Sequence, residues 1–414
     1  MLGRDETMRR EYMYLMSLLL VVGLLVFPGN LWAAETIKIG GVGPLSAPGS
    51  FESGKEMKMA MEMAVAELNA AGGVLGKQLE LVFEDTQGLP EKGTAAMERL
   101  ITKEKVVAVG GEFHSSVARA EIEVANRLKV PIIIAEAWAD VITASQYRYV
   151  FRIAPANSLF YSKVADWIQA AGFKNVVMIA ENSDWGIGVE RVIKERLQQH
   201  GIPLTSITAE RTVQDFTPQL LKFKTMQPRP DLVMDTFTGA GELLMVRQAH
   251  EIGLAPTRET AIFAVGTDAL YPEFWETVGE AGKYVVTKTG YYPGINFTEK
   301  TEPFIKAFQE KYKREPTFAA MEAYETVYLI ADAIRRAGST DAEALVEALE
   351  KTKFTGVRGV ITFSTEREPA YMYHQWAGVP AFVIQYSAEK QSPSEANLLW
   401  PKEYANATLL RPAE

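Results

Sequence analysis

From Thr36 onward, apolar runs of strand length alternate with stretches of helical period, and a chain patterned this way closes most readily into parallel sheets wrapped by crossover helices. "TIKIGGV", "QLELVFED", "VVAVGG" and "VPIIIAE" read as strands, with helices "MKMAMEMAVAELNAAGG", "EKGTAAMERLI" and "ARAEIEVANRL" between them. After "YVFRIAP" the alternation restarts: helix "SLFYSKVADWIQAAG", strand "NVVMIAE", helix "GVERVIKERLQQHG", then "PLTSITAE", "DLVMDTF" and "AIFAVGT", with helix "ELLMVRQAHEIG" before the last. The expectation is an α/β chain of two lobes, each a mainly parallel sheet flanked by helices. "KYVVTKTGYYPG" and the helices "TEPFIKAFQEKYK" and "AMEAYETVYLIADAIRRAG" come too late to finish the second sheet and are expected to return to the first lobe. The reading is residues 35–154 plus 289–365 for lobe 1 and 155–288 plus 366–414 for lobe 2. Two such lobes create a cleft at the carboxyl ends of their strands, where open α/β sheets bind ligands.

One stretch tests that reading. "GSFESGKE", Gly49 to Glu56, is one residue from a phosphate-binding loop. Glu56 occupies the position of the magnesium-binding hydroxyl, and Gly43 to Pro48 separate the stretch from its strand, so a surface loop with a chance match is favoured. A dinucleotide fingerprint fails in "GGVGPLS", where Pro44 follows Gly43 and Ser46 replaces the third glycine. His114, His200, His250 and His374 are scattered without metal-ligand spacing, and no G-x-S-x-G elbow occurs. No enzyme and no cofactor is expected. The methionines of the first long helix read as core at helical spacing, not as a docking stripe.

Charge and leader narrow the compartment and partners. A formal charge of −9 argues against nucleic acid, whose binding needs clustered Lys and Arg. Arg9 and Arg10, the apolar run Met13 to Phe27, Pro28–Gly29 and the small residues of "LWAAE" read as a secretory signal in residues 1–34, cut near Ala33 or Ala34. The acidic "MLGRDET" ahead of it makes Met8 an alternative start. The chain contains no cysteine, hence neither disulfide, thiol nucleophile nor lipid anchor, and the mature protein is expected to be freely soluble outside the cytoplasm.

Candidate cleft residues follow from the strand ends. "GGEFHSSVA" places Ser115 and Ser116 ahead of a helix, where they cap backbone N–H groups or, with those groups, hold a carboxylate. "AEAWADV" offers amides at Ala137 and Ala139, with Trp138 between them. Trp185, in "ENSDWGIG", can close over an apolar group. Asp268 follows a strand and suits either an ammonium or a helix cap.

These residues resemble the extracytoplasmic solute-binding proteins for branched-chain amino acids, the Leu/Ile/Val-binding type. The stretch from "IKIGGVGPLSAPG" through "ELNAAGGVLGKQLEL", then "RQAHEIGL" and "VRGVITFS", carry a likeness that covers essentially the mature chain. The resemblance implies a two-lobed type I periplasmic-binding fold, a small-molecule ligand (an amino acid or carboxylate) held by hinge closure, and a membrane permease of an ABC transporter as partner. A sensory module of the same fold acting on a membrane receptor, or a carrier of aromatic or organic acids lacking an amine, are the alternatives. It implies that Ser115 binds the ligand carboxylate with Ala137 and Ala139, and that Asp268 takes the ammonium where the family usually has Glu. Trp185 and Thr238 stand where tyrosines are common, and Ala139 where Thr is common. Phe113 and His114 replace an aliphatic residue and a cysteine, with Gln87 near the partner cysteine's place. "GSFESGKE", with Ser53, becomes the first cleft-lining loop. Glu112, Glu136 and Asp140 make the neighbourhood more acidic than a leucine site requires.

Overall fold

The computed structural model describes residues 36–413, so the leader expected in residues 1–34 lies outside the described residues. The chain begins with β1 (Ile37–Gly43), α1 (Phe51–Ala70), β2 (Leu79–Asp85), α2 (Pro90–Arg99), β3 (Val109–Gly111), α3 (Ser115–Leu128), β4 (Ile132–Ile134), the short α4 (Val141–Ala144) and β5 (Val150–Arg152). The five strands form one parallel sheet in the order β2-β1-β3-β4-β5. Its side chains alternate between two apolar layers: Ile37 and Ile39 pack with α1, while Val42 and Val109 pack with α2 and α3.

The second run comprises α5 (Asn157–Ala170), β6 (Val176–Glu181), α6 (Asp184–Gln199), β7 (Leu204–Ala209), α7 (Thr217–Thr225), β8 (Leu232–Thr236), α8 (Ala240–Glu251), β9 (Ala261–Ala264), α9 (Glu273–Val278) and β10 (Val286–Thr289). Then come α10 (Thr301–Tyr312), α11 (Phe318–Ala337), α12 (Ala342–Glu350), a small hairpin of β11 (Phe354–Thr355) and β12 (Val360–Ile361), and finally β13 (Phe382–Gln385) and β14 (Asn397–Trp400). The second sheet has seven strands in the order β14-β13-β10-β9-β8-β6-β7, with β13 and β14 antiparallel. That antiparallel edge and the helices α7 and α12 were not read from the sequence.

Helices α10, α11 and α12 pack on the first sheet beside α1, where Phe304, Phe308, Val327 and Leu345 join Met57 and Met61 in one buried cluster. The methionines are therefore core, with Met57 and Met61 fully buried. Apart from Trp138 and Phe318, which reach into the second core, packing passes from the first core to the second between Ile153 and Ala154, back between Val286 and Phe304, and forward again between Val379 and Phe382.

The "GSFESGKE" stretch is neither a phosphate loop nor a surface loop. Phe51 to Glu56 form the opening turns of α1. Gly54 lies there because the helix presses on the Pro44 carbonyl: a Cβ at Gly54 would stand 1.7 Å from that oxygen. Close backbone packing, not anion binding, selects this glycine.

Candidate functional site

Both sheets share one topological logic. In the first, β1 stands between β2 and β3; in the second, β6 stands likewise between β7 and β8. The loops at the carboxyl ends of such strands diverge and leave a crevice. A small cavity occupies that position, walled by Phe113, His114 and Ser115 after β3 and by Glu136 and Trp138 after β4. Glu181, Ser183 and Trp185 at the end of β6, Arg211 after β7, Thr238 after β8, Thr267 after β9 and Lys288 on β10 complete it.

The loop after β3 is held in a strained shape. Glu112 has φ 58, in the left-handed region that non-glycine residues avoid, and its Oε1 accepts the amides of Phe113 at 2.9 Å and His114 at 2.8 Å. His114 Nε2 accepts the Ser50 amide at 3.1 Å, and burial followed by the Arg211 charge push its pKa well below the usual range, so it sits there neutral. Ser115 opens α3 without capping it, because its Oγ accepts the amides of Trp138 at 3.1 Å and Ala139 at 3.0 Å. The capping role read for Ser115 and Ser116 is thus corrected: Ser116 Oγ instead accepts the Asp184 amide of α6 at 3.0 Å. The amide of Ala139 is spent on Ser115. Behind the loop, buried Arg152 donates to the Ala139 carbonyl at 2.6 Å and to Thr143 Oγ1 at 2.8 Å.

Across the cavity, Glu181 is saturated. Arg211 donates to its Oε1 from Nη2 at 3.0 Å and Nε at 3.1 Å, while Thr238 donates to Oε2 from its amide at 3.1 Å and hydroxyl at 2.8 Å. Trp185 follows Asp184 at the start of α6, whose N-terminus is capped by Ser183 Oγ on the Gly186 amide, and it remains half-buried. Lys288 is 2% exposed, with Nζ 4.1 Å from the Trp138 ring centre and 4.5 Å from that of Phe318. Burial lowers its pKa to about 8.

Six residues expected from the sequence therefore line the one cavity: Phe113, His114, Ser115, Trp138, Trp185 and Thr238. Four do not line it. Ala137 and Ala139 lie behind Trp138. Ser53 accepts from the Tyr271 hydroxyl at 3.2 Å, on α1. Asp268 is buried one residue behind Thr267, its Oδ2 accepting the Gly239 amide at 2.6 Å and its own amide donating to Glu242 Oε2 at 2.8 Å. Burial raises its pKa to about 6. Glu181, Ser183, Arg211, Thr267 and Lys288 were not singled out by the sequence. Arg211 lies two residues past a strand with no motif around it, but Lys288 left a trace, a lone cation between threonines in the strand "VVTKTG".

Contacts on both sides of the cavity tie the cores together. Arg119 pairs with Asp184 at 3.1 Å, Arg191 with Asp140 at 2.9 Å, and Arg211 Nη1 donates to the Gly88 carbonyl at 3.0 Å.

Two doubly wound cores shut over a polar, ring-lined cavity define a solute-binding protein, and comparison with known proteins agrees. Residues 36–382 match the family model described as periplasmic binding protein, and the chain belongs to that family. It is 27% identical over 77% of its length to a Leu/Ile/Val-binding protein homolog of Brucella abortus, covering 81% of that protein. It is 26% identical over 86% of its length to the leucine-, isoleucine-, valine-, threonine- and alanine-binding protein of Pseudomonas aeruginosa, covering 93% of it. Among solved structures, a leucine-binding protein from Thermotoga maritima superposes with a TM-score of 0.76 at 24% identity, covering 88% of this chain and 98% of that one. A Rhodopseudomonas palustris solute-binding protein in complex with benzoate superposes with a TM-score of 0.73 at 22% identity, covering 88% and 96%. The type I periplasmic-binding fold and the Leu/Ile/Val-type resemblance read from the sequence are borne out.

Proposed function

We propose that this protein is the extracytoplasmic solute-binding component of an ABC-type importer, that residues 1–34 direct it to the periplasm, and that it carries an amino acid or related small carboxylate to a membrane permease. The observation that carries the reading is the cavity walled by strand ends of both sheets and bridged shut by Ser116–Asp184 and Arg211–Gly88. A solute bound there touches both cores only when they meet, so it favours the closed state by its differential contacts. The two lobes, divided near residues 154 and 289, turn about the crossing segments, and the closed form is what a permease recognises.

Ser115 is proposed to receive the carboxylate. Its oxygen already accepts two amides, so its single hydroxyl proton is left to donate into the cavity, at the positive end of α3. Phe113, His114, Trp138, Trp185 and Thr238 bound the rest of the solute, with Ala137, Ala139, Asp268 and Ser53 in support behind them. The test is a thermal-shift panel of the chain from Glu35, pairing free amino acids with their deaminated analogues (leucine with 4-methylpentanoate) and adding benzoate. Ligand at a hundredfold excess over its Kd adds about 2.7 kcal/mol of stability. A panel that moves nothing refutes the reading.

A further inference from the structure

We infer that Lys288 is the counter-ion of the bound solute, and that the solute is accordingly a small carboxylate without an ammonium group. The inference rests on the functional reading above and names the class of molecule within it.

Lys288 Nζ lines the cavity and has three protons to donate. Its one hydrogen bond goes to Thr267 Oγ1, at a long 3.4 Å. The faces of Trp138 and Phe318 flank it, which holds a cation in place without satisfying its donors. Among the described residues, no carboxylate oxygen lies within the 4.0 Å that defines an ion pair with this ammonium.

The acids that face Lys288 from farther away are Glu136, Glu242, Glu322 and Asp268. Three have other partners: Glu322 binds Arg358, Glu242 accepts the Asp268 amide, and Asp268 accepts the Gly239 amide. The fourth, Glu136, shares the wall; its Oε2 is buried without a hydrogen-bond partner, and burial raises its pKa, which disfavours the carboxylate form. On the opposite side Glu181 is consumed by Arg211 and Thr238. The wall therefore holds one cation whose pairing is unfinished and one unconsumed acid, Glu136, which burial biases toward its neutral form. A buried charge in that condition gains most from an oxyanion. Trp138 joins this point to the carboxylate site, since its amide binds Ser115 Oγ while its ring carries Lys288.

The test is calorimetry with 4-methylpentanoate, benzoate and leucine on the wild type, Lys288→Met and Lys288→Arg. An anion placed against Lys288 raises its pKa from about 8, so binding should draw protons from the buffer between about pH 8 and 9, seen as a dependence of heat on buffer ionisation. The expected result is that an amine-free acid binds the wild type with proton uptake, Lys288→Met binds it roughly thirtyfold or more weakly without uptake, and Lys288→Arg retains most of the affinity. Unaltered affinity in Lys288→Met, or no uptake by the wild type, overturns the assignment. Binding of leucine but not 4-methylpentanoate overturns the solute class and leaves the solute-binding reading standing. If no probe binds the wild type, both fall.

Discussion

The Ser116 hydroxyl on α3 accepts the Asp184 amide at the start of α6, at 3.0 Å, so one hydrogen bond spans the mouth of the cleft from core to core. Arg119, one turn further along α3, pairs with the same Asp184 side chain at 3.1 Å. The bond is partly sheltered while the ion pair is exposed, which makes the bond worth about 1 kcal/mol and the pair less. Ser116→Ala combined with Arg119→Ala should weaken ligand binding by about 1–2 kcal/mol, expressed as faster release in stopped-flow, with folding stability nearly unchanged. An unchanged release rate would deny these contacts a part in closure.

Ser115→Ala should be costlier. It leaves the buried amides of Trp138 and Ala139 without their acceptor, a loss of about 1–3 kcal/mol of folding stability in urea titration. Affinity for carboxylates should fall as well. Ser115→Thr, which restores the oxygen, should recover more of the stability than Ser115→Ala.

Asp268→Ala separates two roles. With its carboxylate turned to Gly239, the substitution should cost about 1–3 kcal/mol of stability and leave affinity for an amine-free carboxylate within about twofold. A drop of more than about tenfold for leucine alone, by calorimetry, would instead give Asp268 an ammonium to hold.

Glu56 sets a pH trend. It is buried on α1, accepting the Thr317 amide at 3.1 Å and the Tyr271 hydroxyl at 3.4 Å, with Arg314 nearby, and burial raises its pKa from 4.5 to about 7. The folded state then binds more protons than the unfolded one, so the stability from protonated Glu56 is present below pH 4.5 and lost as pH rises through about 7. Glu56→Gln, which keeps the shape without the charge, should lose ground to wild type at low pH and gain on it by on the order of 1–3 kcal/mol by pH 8. Melting curves of both proteins across that range check this. Parallel pH profiles would exclude Glu56 as the group involved.

The alternation of periods made both sheets legible, because a strand covered on two faces is apolar along most of its length, as "VVMIA" and "AIFAV" are. Strand ends then pointed to Ser115, Trp138 and Trp185. Asp268 shows the limit of that rule: it too follows a strand, but Thr267 takes the wall and Asp268 turns back to Gly239. Sequence position cannot choose between neighbours whose side chains leave in opposite directions. Arg211 was invisible because its importance comes from meeting Glu181 and the Gly88 carbonyl, partners 30 and 123 residues away. Lys288 could have been found by asking how a lone ammonium survives in the interior of a covered sheet.

Neither core is a continuous piece of chain. Because packing passes between them at 153–154, 286–304 and 379–382, with Trp138 and Phe318 also crossing, no single cut releases either half with its sheet and helices complete. Deleting the segment after β10, for example, strips α10, α11 and α12 from the first sheet and β13 and β14 from the second. The halves are therefore obliged to be inherited, synthesised and matured together, and neither can be exchanged as a module for its counterpart in a relative without carrying the connecting strands along. What remains free to diverge independently is the set of loops at the strand ends.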